Sequence, residues 1–521
     1  MNSEKIFDAL TDIREEFIAE AKEHKLHRPR VAIVRICAIA ASFALVIGIG
    51  GFLILNGWLP TPGGSTGGGG GRADGSTTFM SYAGPVFPLS VLGDAEGITA
   101  TRDITFDFSG FGEWPRMSGG LALHPSDIRV SDNYILTNNT ASDKTARILY
   151  PFAGSFSELM RLIPSIAADG IALDAELYAG PYSGGFSGIQ GLEDMLVNLR
   201  GTNSWDVYEV LLSDGHYLSR ALGDVIMPDK TVIVYEFSNL RADFDKGVAP
   251  ALAISMDLDY DRTKVMTYMF NGGEWDAQND FMRLGFFVRR EGTYRYSGSH
   301  YMIVIGDDVS EMSIQGYQSL AWPDGEEMEI TADVRRFEAA FGDVLALLFN
   351  EFMAEYYEFM PVDGPSAGFD YDMEILLKSA LELLLDYGML ADNIAWRYER
   401  GMLDDVFSEV LVIERVFYLA ADITIPAGES IAVNVDMVKQ GSFDFYGWGS
   451  GNEGLYGYDM VTRVGSTLVF QGLTAGLNGA EHIEIIRQNF GFDLANGIVN
   501  VTLDINEPHY YMEVRGTPRT E

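Results

Sequence analysis

Along most of the chain, apolar residues recur at every second position. Ile104, Phe106 and Phe108 alternate with Thr105 and Asp107, and Tyr134-Ile135-Leu136-Thr137 runs into an Asn-Asn-Thr turn. Residues 231–237 are β-branched and aromatic, and Ile254, Met256, Leu258 and Tyr260 alternate with Ser255, Asp257, Asp259 and Asp261. Residues 266–270, 284–289 and 301–305 follow suit. A period of two marks a strand with one buried face. Many short strands divided by Gly, Asp and Asn turns predict β-sandwiches over residues 81–330. Short helices are expected at 157–163 and 192–199.

The period changes near residue 333. Phe337, Phe341, Val344, Leu345, Leu348, Phe352 and Tyr356 recur mostly at three and four, predicting an amphipathic helix from about Asp333 to Phe359. Pro361, Gly364 and Pro365 break it. A second helix is expected from Tyr371 to about Tyr387, burying Ile375, Leu376, Leu383 and Leu384 and stopping at Gly388. Together they predict a helical hairpin within 331–400. Strands return from about Val406, at 410–419, 423–425, 431–437, 466–470, 483–487, 498–505 and 510–514. They predict a carboxy-terminal sandwich over 401–521. The expected fold class is mainly β, of the α+β kind.

One stretch has no such alternation. Ile36 to Leu55 is 20 residues without a charge, with Ser42 as its one polar side chain. As a helix it spans about 30 Å, the hydrocarbon thickness of a bilayer. A cleavable signal peptide has a shorter apolar core, a short basic start and a small-residue cleavage site. Here 35 residues precede the run and no such site follows Leu55. The run is therefore expected to be retained as a transmembrane helix. Lys22, Lys25, Arg28, Arg30 and Arg35 lie just before it, and the next basic residue is Arg72. Basic flanks stay inside, which predicts a cell-membrane protein with residues 1–35 cytoplasmic and the carboxy-terminal part extracellular. Residues 56–80 contain Gly63 to Gly71, interrupted only by Ser65 and Thr66, and read as a flexible linker.

Charge sharpens this division. Among 521 residues, 36 Lys and Arg face 75 Asp and Glu, a net −39. Residues 1–35 hold seven of each sign, so the whole excess lies beyond Arg35. Such acidity excludes nucleic acid as a partner. The single cysteine, Cys37, falls inside the apolar run, which excludes a disulfide scaffold and a cysteine-built zinc site.

Motifs for catalysis are sparse, and neither enzyme activity, a metal nor a cofactor is expected. His124, His216, His300, His482 and His509 form no H-E-x-x-H pattern. G-x-S-x-G occurs at Gly63–Gly67 and Gly364–Gly368, but without the preceding strand a nucleophile elbow requires, so Ser366 is not assigned catalysis. Asp257, Asp259 and Asp261 lack the glycine and glutamate of a calcium loop and read as the wet face of a strand. Asp370, Asp372 and Glu374 precede a helix and read as capping groups. Glu351, Glu355 and Glu358 share one helix, where paired carboxylates serve glycoside hydrolysis or merely line a solvated face. Tyr182 and Phe186, and Tyr446 and Trp448, lie in glycine-rich aromatic stretches that either plug the sandwich or bind an extracellular glycan or protein.

The amino-terminal segment carries its own pattern. Ile6, Leu10, Ile13, Phe17 and Ala21 recur at spacings of four, three, four and four, an apolar stripe suited to a partner's groove. Ala9-Leu10-Thr11-Asp12-Ile13-Arg14-Glu15-Glu16-Phe17-Ile18-Ala19-Glu20-Ala21, a basic stretch, one span and a large exported part resemble the membrane-anchored anti-sigma-factor-like proteins of Gram-positive, Clostridia-type bacteria. Arg14 and Phe17 stand where that family has acid and leucine. The resemblance covers about 60 residues and implies a cytoplasmic sigma factor bound by Ile6, Leu10, Ile13, Phe17 and Ile18. The expected roles are, in order, a sensing regulator, an envelope binding or scaffold protein, and a tethered hydrolase.

Overall fold

The computed structural model describes residues 79, 81–113, 116–118, 121–181, 204–213, 215–244, 249–289, 298–319, 325–359, 372–386, 389–390, 402–444 and 452–517. The chain divides into two units, Met1–Gly70 and Gly71–Glu521, and every described residue belongs to the second. That unit is mainly β.

One body of it, drawn from both ends of the unit, is a sandwich. A seven-stranded sheet runs in the order Asn500–Thr502, Val469–Asn478, Ile98–Asp107, Ile128–Asn138, Ser430–Lys439, Ser165–Ala168, Ile171–Ala172. It shares one core with the sheet Ser90–Leu92, Lys144–Gly154, Arg415–Ile425, Glu176–Ala179 and with the sheet Tyr456–Val461, His509–Gly516, Ile483–Gln488. The alternation expected of a half-buried strand is met along Ile98–Asp107, where Ile98, Ala100, Ile104 and Phe106 face inward.

Some inward positions are charged. Arg102 and Asp132 are fully buried and joined by a two-pronged ion pair, Nε to Oδ1 at 2.7 Å and Nη2 to Oδ2 at 2.8 Å. Tyr134 and Tyr150 donate their hydroxyls to the same carboxylate at 2.7 and 3.0 Å. Arg102 Nη1 and Nη2 also donate to the carbonyls of Val461 and Phe87. Tyr150 stands on the second sheet and Val461 on the third, so one satisfied polar cluster stitches all three sheets.

The chain leaves this sandwich after Ala179 and returns at Arg415, on strands that pair with each other. Of the residues between, the helices Trp205–Ser213 and His216–Leu222 pack on the sandwich, and those from Thr231 onward build a second body. The sheet Thr263–Tyr268, His300–Gly306, Thr231–Ala242, Ile330–Ala340 packs one face on the sheet Gly272–Asp276, Phe281–Phe287, Ala251–Asp257, Ser310–Tyr317. Its other face lies under the helices Phe341–Phe359, Met373–Asp386 and Leu403–Val412.

Pairing departs from linear order. Strands of 401–521, expected to close a sandwich of their own, bond to strands of the first hundred described residues: Arg415–Ile425 to Lys144–Gly154, Ser430–Lys439 to Ile128–Asn138, and Val469–Asn478 in parallel to Ile98–Asp107. Residues 333–340, expected to begin a helix, complete the strand Ile330–Ala340 against Thr231–Ala242, and the helix starts at Phe341. Phe337, Phe341 and Val344 fit a helical stripe, but pairing with a β-branched partner strand prevails over local propensity. Residues 410–412, expected in a strand, end the helix Leu403–Val412, whose buried Leu403, Val406, Phe407, Val410 and Leu411 form its stripe. The expected span Ile36–Leu55, the linker and the helix at 192–199 lie outside the described residues.

Candidate functional site

The helix-facing side of the inserted sheet carries acids at one end. Along Thr231–Ala242, Val232 and Val234 enter the core beneath the helices, while Tyr235 and Phe237 enter the core between the sheets. The same alternation puts Glu236 on the helix side. Glu236 pairs with Tyr301, and Tyr301 with Tyr268, giving one row across three strands. Ser299 Oγ and Arg335 Nε each donate to Glu236 at 2.7 Å. From the helix above, Glu351 accepts the Tyr301 hydroxyl at 3.2 Å.

The row ends at Met269, whose φ is +64°. Two groups hold this turn. The Met269 N–H donates to Asp404 Oδ1 at 3.0 Å, and its carbonyl lies 2.7 Å from His300 Nδ1. Asp404 stands in the first turn of Leu403–Val412, so its side chain ties the helix start to the strand end.

Burial dominates the electrostatics. It pushes Glu351 up to about 7, with the Tyr301 hydrogen bond opposing and Glu236 adding to the rise. It pushes Asp404 up to about 7, aided by Asp405 and Glu355 and opposed by the Met269 N–H. It lowers His300 to about 4, keeping the imidazole neutral where it stacks on Phe286 at 3.7 Å. Two carboxyl groups raised toward neutrality, one of them accepting a tyrosine hydroxyl, are of the kind that takes part in proton transfer. Among the described residues, no group of three or more His, Cys, Asp or Glu is placed to hold a metal ion.

A second buried pair is closed off. Asp459 accepts the Tyr82 hydroxyl at 2.5 Å and lies 3.1 Å from His509 Nε2. Trp205 stacks on that imidazole at 4.6 Å, and His509 is 5% exposed, so among the described residues the pair is covered.

Of the acids singled out by sequence, Glu351 belongs to this site and Glu355 acts on Asp404, while the Glu358 side chain lies outside the described residues. Asp372 caps the helix Met373–Asp386, accepting from the Glu374 N–H at 2.9 Å. Asp257 ends its strand, and Asp259 organises the following turn by accepting the Asp261 N–H. Ile6, Leu10, Ile13, Phe17, Ile18, Tyr182, Phe186, Ser366, Tyr446 and Trp448 lie outside the described residues. Glu236, Tyr301 and Asp404 escape sequence reading because long-range pairing assembles them. Their trace is local: a carboxylate in the inward phase of a strand, and another at the head of an apolar stripe.

Comparison with known proteins finds no family model and no curated protein that matches this chain.

Proposed function

We propose that this chain is a single-pass membrane protein whose outward-facing, acidic, β-rich body binds or senses a ligand, and whose inner helix holds a sigma-type factor. The observation that carries the reading is the uncharged run Ile36–Leu55, with five basic residues just before it and none after it until Arg72. The run lies outside the described residues, among which no helix is long and apolar enough to cross a membrane. The raised Glu351 and Asp404 carboxyls support a functional site in the body. A carbohydrate or protein ligand for an envelope scaffold is the alternative use of the same body.

Impermeant maleimide on whole cells tests the topology. With Cys37→Ala as background, Ser310→Cys labels and Ser3→Cys labels only after lysis. Labelling of Ser3→Cys on intact cells overturns the reading. Mass-spectrometric identification of a sigma factor with the full chain, lost in Ile13→Asp and Phe17→Asp, tests the inner helix, and its absence removes the regulatory half. A tethered hydrolase draws on Glu351 and Asp404. Release of reducing ends from wall glycans, abolished by Glu351→Gln, would favour it over binding alone.

A further inference from the structure

The outer face of the seven-stranded sheet is open to solvent. Alternate residues of its strands fill the core, and those between them point the other way. Register sets these outward residues in rows across the strands. In one row Thr502, Thr474, Asp103, Asn133 and Asn434 stand side by side on five neighbouring strands. In the next, Asn500, Thr105, Ser131, Asp436 and Ser165 do so, with Gly476 between the first two. Thr502, Thr474 and Asp103 are exposed, and Asn133 and Asn434 are half-buried.

Strand propensity accounts for the threonines, since β-branched side chains suit a pleated surface. It does not account for Asn133, Asn434, Asn500, Asp103 and Asp436, residue types that strands disfavour. Nor do the rows hold a lysine or a glutamate, which ordinarily cover a solvated surface. Neighbours within a row are tied together. Asn434 Nδ2 donates to Asn133 Oδ1 at 2.7 Å, Ser131 Oγ to Asp436 Oδ1 at 2.5 Å, and Thr474 Oγ1 to Asp103 Oδ1. The asparagine bond leaves the Asn133 amide group and the Asn434 carbonyl oxygen for a ligand. Side chains ordered in advance lose little freedom on binding.

We infer that this face binds a linear, uncharged β-1,4-linked glycan laid along the rows, one sugar to a strand. Spacing selects the linkage. Neighbouring strands lie about 4.8 Å apart, and an extended β-1,4-linked chain advances by nearly the same step per sugar, whereas an α-1,4-linked chain coils. Twist selects a single chain over a crystal, because adjacent strands rotate by about 20–25° and the rows curve away from a planar lattice. Charge selects a neutral polymer: Asp103 and Asp436 lie in the rows, and the chain as a whole carries −39. The inference gives a ligand class to the outer body proposed above. Maleimide labelling tests the topology separately, so either reading can fail alone.

Calorimetric titration of the full-length chain tests it, in a polyoxyethylene detergent, which carries no sugar. Cellohexaose and chitohexaose are the probes, and maltohexaose, with α-1,4 linkages, is the control. At least one probe binds, maltohexaose does not, and affinity rises about threefold or more per sugar from the trisaccharide to the pentasaccharide before levelling off. Asn133→Ala and Asn434→Ala each weaken the bound probe about three- to tenfold. No heat with either probe at millimolar concentration overturns the inference, as does equal binding of maltohexaose. Binding that both asparagine variants leave unchanged places the glycan elsewhere and overturns it too. A dimer in sedimentation that Thr101→Lys, on the same face, disperses assigns the face to a second copy instead. The comparison of hexasaccharides uses unaltered protein, so failure of a variant to fold leaves a decisive result in hand.

Discussion

Asp132→Asn is the sharpest test of what holds the sandwich together. The substitution keeps the shape of the side chain but removes the charge that accepts from Arg102 Nε and Nη2 and from the hydroxyls of Tyr134 and Tyr150, at 2.7, 2.8, 2.7 and 3.0 Å. Both members of the ion pair are shut off from solvent, so the guanidinium is left charged and uncompensated. Removing one partner of a buried pair costs about 3–5 kcal/mol. At about 2–4 °C per kcal/mol for a body of this order, the melting midpoint falls by roughly 10 °C. Near-ultraviolet circular dichroism of the full-length chain reads the loss of core packing. Arg102→Met costs a similar amount, and the double variant Arg102→Met/Asp132→Leu recovers part of the sum, because an apolar replacement no longer strands a charge. A midpoint for Asp132→Asn within about 2 °C of the parent, or strict additivity in the double variant, refutes the reasoning.

Three further tests follow from named groups. Glu351 titrates at about 7 in the fold, above its ordinary value, so the folded state binds more protons between the two values and stability falls as pH rises through about 7. Glu351→Gln therefore stabilises the fold at pH 8, by about 1–2 kcal/mol after allowance for partial exposure, as read from urea unfolding, and the gain disappears below about pH 4.5. His300, lowered to about 4, works in the opposite sense: its stability is present above about 6.5 and is lost as pH falls toward 4, so His300→Phe flattens that acid limb. At Gly306 an alanine combines a positive φ with overlap on the Arg262 carbonyl and costs about 2–4 kcal/mol, whereas Gly428→Ala, also at positive φ but in open space, costs about 1 kcal/mol; thermal melts separate the two.

Sequence pattern revealed the elements better than their partners. The inward face of Ile98–Asp107 is visible in Ile104, Phe106 and their polar neighbours, because a strand's period is a local property. That its neighbour is Val469–Asn478, about 370 residues away, is not local and leaves no mark in either segment. Elements failed where two periods overlapped. Phe337 and Phe341 satisfy a helical spacing, yet residues 330–340 pair as a strand, while Leu403, Val406 and Phe407 carry a helical stripe just before the β-branched run that begins at Arg415. The candidate site was legible only through Glu351. Tyr301, Glu236 and Asp404 join it by register, and register is set by pairing.

The parallel pairing of Ile98–Asp107 with Val469–Asn478 has a consequence for biogenesis. Emerging from a ribosome or a translocation channel, the early strand stays without one neighbour until nearly the whole polypeptide has followed it. Such distant closure makes assembly slow and exposes sticky edges in the interim. A nascent chain of this protein therefore needs shielding until its final fifty residues arrive, and a copy that terminates early is material for quality control rather than a smaller working version.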